Sequence, residues 1–286
     1  MAEDLAGRVG GGAGPGRRSR RLLAVGSTIA ALLVGVAVLA PWLTTFDPSV
    51  IVVEQYTGPL SPSAAHPLGT DTLGRDVWAR IAYGARTSLA VGGLAMATSL
   101  GIGVSVGLVA GYFGGVVDAC LMWVVDLVLT MPTLLLLIVL ATVFPPSLLT
   151  IPLVIGLVGW TTFARTVRGE VLSLRTRDYV LAARALGASH ARIIVRHLLP
   201  GVLPGVTVLA ALGMSGAIGL DAGLSYLGLG VPLPTPSWGR MVSEVQTYFA
   251  VAPWLVVFPG LAICIAVIGF NLIGYGLIDR LGTRRQ

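Results

Sequence analysis

The sequence predicts an all-α integral membrane protein with six transmembrane helices, both termini cytoplasmic, and a two-helix cytoplasmic loop between spans four and five. Three observations support this. Hydrophobic residues fill 55% of the 286 positions, charged residues only 11%, and the mean hydropathy of +0.87 lies well outside the range of a soluble domain. Several apolar runs reach the ~20 residues that cross a hydrocarbon core, which excludes a single anchor. The arginines also divide by side. An inside N-terminus puts those of the tails and of the 165–200 region on the cytoplasmic face and leaves only Arg75, Arg80, Arg86 and Arg240 outside, as the positive-inside rule requires.

Residues 1–21 are rich in glycine and arginine and read as a disordered basic cytoplasmic tail. The run 22–42 is longer than a signal-peptide core and no small-residue cleavage site follows it, so it reads as the first span. The segment 43–86 is polar, contains proline and reads as extracytoplasmic. In its second half, Val77, Ile81 and Ala85 share one helical face beside Trp78 and Tyr83, which predicts a short helix lying at the interface. The remaining spans are expected at 87–111, 118–143, 150–168, 204–229 and 254–278, within a membrane core of residues 87–280 that includes the loop 170–203. A cytoplasmic tail of 281–286 follows.

Small residues in the second span follow a register. Gly103, Gly107 and Gly111 recur every fourth position and continue Val91, Ala95 and Ser99, forming a smooth stripe. A smooth stripe suits close helix packing, and a glycine-tolerant lipid-facing helix is the alternative. Asp126 and Asp221 fall inside apolar segments, where an unpaired charge costs at least ~2.5 kcal/mol. Each is a candidate for lining a pore or for helix packing, as is Asn271. A proton relay is the other reading, although no intramembrane basic residue or histidine continues one.

All 19 basic residues are arginine. Without lysine the chain has no Walker loop, so it does not hydrolyse ATP by that route. The net charge of +6 comes with no basic groove or recognition motif, which argues against nucleic acid as a partner. Cys120 and Cys264 sit in apolar runs without ligand spacing, and His66, His190 and His197 form no metal pattern.

The most distinctive stretch is the arginine-rich loop from Glu170 to Leu203, which includes RTRDYVLAARALGASHARIIVRHLLPGVLP. It divides into two short helices. Asp178 is placed to cap the first, Val180, Ala183 and Leu186 share a face of it, and Gly187 is placed to end it in a left-handed conformation. Ser189 is placed to cap the second, which is expected to stop at Pro200. Ala182, Ala183 and Ala185 make the first helix thin, while Arg184, Arg192 and Arg196 surround it with charge. Such a helix suits either a groove on a partner protein or an anionic lipid surface.

This loop resembles the EAA motif, the cytoplasmic coupling loop of binding-protein-dependent ABC importer permeases. The matching residues are Ala182, Ala183, Gly187, Leu199 and Pro200, and Leu181 stands where relatives usually carry glutamate. His66 to Leu89, Leu224 to Met241 and Pro253 to Asn271 are similar to the C-type permeases of dipeptide and oligopeptide importers. Tyr275 occupies a position where relatives often carry aspartate.

The resemblance implies a non-catalytic, multi-pass subunit of the cell inner membrane, forming half of a translocation pore. It implies as partners a paired B-type permease, two cytoplasmic ATPase domains on one or two chains that bind ATP and Mg, and an extracytoplasmic substrate-binding protein. No cofactor is expected in this chain. ATPase coupling falls to Asp178, Tyr179, Leu181, Ala182, Ala183, Arg184, Gly187, Ala188 and Arg192. Binding-protein docking is assigned to Asp71, Arg75, Asp76 and Trp238. Trp238, Tyr248, Phe249 and Trp254 suit either docking or the membrane interface. Importers of this type for nickel, glutathione or haem are alternatives. An ion-coupled transporter is less compatible with six spans lacking an inverted repeat, and an intramembrane enzyme lacks its motifs.

Overall fold

A computed structural model describes residues 15–52 and 58–282. The first fourteen residues and 283–286, where most of the two tails was placed, lie outside the described residues. Among the described residues, secondary structure is helical except for one isolated bridge between Thr70 and Asp76. The long helices are α1 (Pro15–Leu43), α2 (Val77–Phe113), α5 (Thr150–Leu174), α7 (His190–Tyr226) and α9 (Trp254–Gly282). All five are long and apolar enough to cross a bilayer, and α3 (Gly115–Thr130) with α4 (Thr133–Val143) makes a sixth span bent by 92°. Two short helices, α6 (Asp178–Ala185) and α8 (Trp238–Ser243), lie in the connections.

Several boundaries differ from the sequence-based reading. Residues 15–21 already belong to α1, so Arg17, Arg18, Arg20 and Arg21 extend the first span. The expected interfacial helix does not exist as a separate element. Residues 77–86 are the first turns of α2, started by Asp76, whose side chain accepts the Ala79 amide at 2.7 Å. The third span breaks at Pro132, which lacks an amide for the helical ladder. Nor does the second loop helix stop at Pro200. A wider π turn over Ile194–Leu198, in which the Leu199 amide reaches back to the Ile194 carbonyl, absorbs the mismatch, and the helix runs on to Tyr226.

The centre of the fold is the packing of α2 against α5. Val91, Ala95, Ser99, Gly103, Gly107 and Gly111 are all buried, which identifies the stripe as a helix interface. A Cβ on Gly107 would lie 2.7 Å from the Ala164 carbonyl oxygen, and one on Gly103 would lie 2.5 Å from that of Trp160. The Ser99 hydroxyl donates across the seam to the Gly156 carbonyl at 3.2 Å. α7 packs on both helices, and α9 packs on α7, where Ser215 Oγ donates to Asn271 Oδ1 at 3.1 Å. Asn271 therefore ties two helices together. α1 is peripheral and lies against α9 and α2.

The end of the bundle that carries residues 58–76 and 227–253 is held by buried charge. Asp71 Oδ2 accepts Arg75 Nε at 2.7 Å and also Arg80 Nη1, while Glu244 Oε2 accepts Arg75 Nη2 at 2.9 Å and Arg80 Nη2 at 2.8 Å. His66 Nδ1 lies 2.9 Å from Asp76 Oδ2. Trp238 is 1% exposed, its indole donating to the Ile81 carbonyl and its amide to Ser88 Oγ, both at 3.1 Å.

This corrects the docking assignment. Asp71, Arg75, Asp76 and Trp238 are all buried inside the protein and cannot touch a protein outside it. They pin the 58–76 segment and α8 onto the start of α2. The exposed large apolar residues at that end are Leu60, Leu73, Leu227, Leu233, Tyr248, Phe249 and Val251, with Trp254 half-buried.

Candidate functional site

At the opposite end, α5 and α7 are joined by residues 175–189, and α6 projects from the bundle. Its cap position is Arg177, with no side-chain bond. Asp178 is the first helical residue, so the helix starts one position earlier than the sequence suggested, and its carboxylate favours the positive end of the helix. The other boundary is as expected. Gly187 has φ +78°, its amide bonds the Arg184 carbonyl, and the Ala188 amide returns to the Ala183 carbonyl. Nothing lies within 4 Å of a Cβ built on Gly187, so the backbone angle demands glycine there, not crowding. Ser189 then caps α7, accepting the Arg192 amide at 3.4 Å.

One residue of α6 is buried in the bundle. Val180 is fully buried among Leu108, Tyr112, Val171, Ile193 and Leu198. Everything else on α6 faces outward to a greater degree. Ala183 and Ala188 are half-buried, while Asp178, Tyr179, Leu181, Ala182, Arg184, Gly187 and Arg192 are exposed. Leu186 does not share the buried face of Val180. It is 88% exposed, because the chain is already turning into the Gly187 conformation.

Beside α6 lies a cleft of about 440 Å³ lined by Tyr112, Phe113, Arg175, Leu181, Arg184 and His190, among others. The Tyr112 hydroxyl and His190 Nδ1 are 2.7 Å apart, and the Arg184 guanidinium lies 5.5 Å from the centre of the Tyr112 ring. Arg175 Nη1 donates to the Gly111 carbonyl at 3.0 Å, tying the loop to the end of α2. Among the described residues, no carboxylate lines this cleft. The face offers arginine and apolar groups, Leu181 among them, to whatever covers it. Tyr112, Phe113, Arg175 and His190 were not singled out from sequence, because three separate segments must fold before they meet.

The acids within the spans differ. Asp126 pairs with Arg165 on α5, so an intramembrane cation does face it, contrary to the sequence-based reading that grouped Arg165 with the loop arginines. Asp118 forms a second, two-bonded pair with Arg168, with Arg168 Nη2 to Asp118 Oδ2 at 2.5 Å. Asp221 is 1% exposed, and its Oδ1 has no partner among the described residues. The buried Ser225 Oγ one turn later is equally unpartnered.

Residues 103–286 match the family described as binding-protein-dependent transport system inner membrane component. The dipeptide transport system permease protein DppC of Alkalihalophilus pseudofirmus is 40% identical over 94% of this chain and 88% of its own length. The oligopeptide transport system permease protein OppC of Bacillus subtilis is 40% identical over 93% and 87%. The nickel transport system permease protein NikC of Escherichia coli is 40% identical over 88% and 91%. The family match spans more than half of the chain and includes α6 and its cleft. The chain therefore belongs to the inner membrane components of binding-protein-dependent transport systems, and it is a multi-pass inner membrane permease subunit.

Proposed function

We infer that this chain forms half of the translocation pore of an ATP-driven importer for dipeptides or oligopeptides, paired with a second permease and driven by cytoplasmic ATPase domains that grip α6. The observation that carries the coupling assignment is the outer face of α6, where Leu181 and the 88%-exposed Leu186 stand beside Arg184 and Arg192 on a helix that buries only Val180. Apolar side chains so placed gain by burial, and the arginines select an acidic groove over a basic one. Leu181 replaces the usual acid, so an acidic groove on the ATPase is the complementary surface. Peptide as the cargo is supported by the names of two of the relatives, while the nickel relative is equally similar and gives the alternative.

In this arrangement residues 175–189 lie in the cytoplasm and the Phe249 end faces the binding protein. ATP binding closes the ATPase dimer, draws the two coupling helices together and opens the pore outward, and hydrolysis resets it. Isolating the complex through this subunit, and measuring what its binding protein retains, tests both the assembly and the cargo. Recovery without any ATPase chain would overturn the reading.

Two substitutions test the coupling face. Gly187→Glu forces a non-glycine residue into a left-handed angle at a cost of about 1–2 kcal/mol. It is expected to leave the subunit inserted while uptake falls to background and ATPase activity persists. Leu186→Ala removes an apolar anchor worth about 2 kcal/mol, or roughly thirtyfold in the dissociation constant of the ATPase subunits, read by titrating them onto the purified permease pair.

A further inference from the structure

The Asp126–Arg165 pair is far more open than its neighbour on the same two helices. The two side chains are 58% and 56% exposed, whereas the neighbouring Asp118–Arg168 pair is 15% and 31% exposed. The geometry differs too. Arg168 meets both oxygens of Asp118, which locks α3 to α5, while Arg165 meets Asp126 through one nitrogen and one oxygen. One carboxylate oxygen and most of a guanidinium are left open.

The pair also lies within a span. Asp126 lies inside the bent α3–α4 span, eleven residues beyond Gly115 at the start of α3, which is about 16 Å along the helix. Exposure to lipid there is costly for both charges.

The surroundings point to water instead. On α5 the exposed residues around Arg165 are Thr162, Thr166 and Gly169, a non-apolar line at helical spacing, whereas two to three turns earlier the exposed residues are Leu153 and Leu157. The same helix thus changes from a lipid-like to a water-like face. One turn beyond Asp126 the span breaks and turns by 92°, and interrupted spans of this kind mark substrate positions in transporters. α3 fully buries only Val125 within this chain, and Trp123, Val124, Leu127 and Leu129 beside Asp126 are exposed with it, so this part of α3 is left uncovered by the rest of the chain.

An exposed ion pair is worth only ~0–1 kcal/mol, so it opens readily. A ligand that carries one positive and one negative group gives each half a new partner, while a ligand with neither leaves the pair closed. We propose that Asp126 and Arg165 form a site on the wall of the translocation path that takes the ammonium and carboxylate ends of a short zwitterionic peptide. The proposal rests on the importer reading above. Because the bare pair is weak, the site releases its ligand easily, as a conduction pathway requires.

The test uses the complete importer in proteoliposomes, with Cys120 and Cys264 replaced by alanine and a single Thr162→Cys or Thr166→Cys introduced. A membrane-impermeant thiosulfonate is expected to label either position. Alanyl-alanine at about ten times its half-saturating concentration slows labelling by roughly tenfold, while N-acetyl-alanyl-alanine amide has no effect. Asp126→Asn with Arg165→Gln abolishes the protection. Labelling only by a membrane-permeant maleimide would place the stripe against lipid, and no labelling by either reagent would place it against the second permease. Both results overturn the proposal, as does equal protection by the blocked peptide. ATP-driven uptake by the same vesicles checks the importer reading separately, and the single-cysteine labelling stands even if the double variant fails to assemble.

Discussion

Replacing Gly107 with leucine is expected to leave little folded protein in the membrane. A Cβ at this position would stand 2.7 Å from the Ala164 carbonyl oxygen, 2.8 Å from Val167 Cβ and 3.0 Å from the Arg168 amide nitrogen. Two of these three are backbone atoms of α5, so no rotamer change relieves the clash and the two helices must separate. Separation also breaks the close approaches at Gly103 and Gly111 and the bond from Ser99 to the Gly156 carbonyl. Overpacking an adaptable core costs about 1–3 kcal/mol. An interface of backbone against backbone has less freedom to yield, and the cost rises above that range. Gly101→Leu is the control, since nothing lies within 4 Å of a Cβ there. The measurement is the yield of monodisperse protein in detergent and its Tm. Equal behaviour of the two variants would sink the helix-interface assignment.

The second large effect is expected from Asp71→Ala. This residue is 2% exposed and holds both Arg75 and Arg80, of which Arg80 is itself 1% exposed with its Nε unpartnered. Removing one partner of a buried ion pair costs about 3–5 kcal/mol, because an uncompensated charge remains in the interior. The loss should appear as a lower Tm and as faster proteolysis within residues 58–76, the segment that the network fastens to Glu244. The paired change Asp71→Leu with Arg80→Met removes one charge of each sign and recovers most of the stability, since apolar replacement of a whole buried pair is often neutral. Additive losses in that double-mutant cycle would contradict a shared network.

These two sites differ in how far they could be read from the chain. The Gly107 stripe was legible, because a four-residue period of small residues has few uses other than close packing. Its partner surface on α5 was not, because nothing in the spacing of Trp160, Ala164 and Val167 names the helix they touch. The Asp71 network was misread. Charged residues in a polar connecting segment resemble a solvated surface, and only their convergence with Glu244, 164 residues beyond Arg80, converts them into an interior.

Local backbone chemistry was similarly decisive where it acted alone. The left-handed Gly187 and the Ser189 cap follow from residues within a few positions of each other, and both are present. The expected stop at Pro200 failed because a π turn can absorb a missing amide. The bend at Pro132 was missed although the same proline rule, applied there, would have indicated it.

Hydropathy and spacing alone determined that the chain enters a membrane, about how many times, and that a short helix of the 170–203 loop ends at Gly187. Those properties depend on transfer free energy and on contacts between near neighbours in sequence, both of which a linear pattern records. Tertiary structure alone decided that Asp71, Arg75, Asp76 and Trp238 are interior and that Leu186 is exposed. It also set Arg165 opposite Asp126. Burial and pairing between distant residues depend on which helix faces meet, and that is settled only when all the helices have packed.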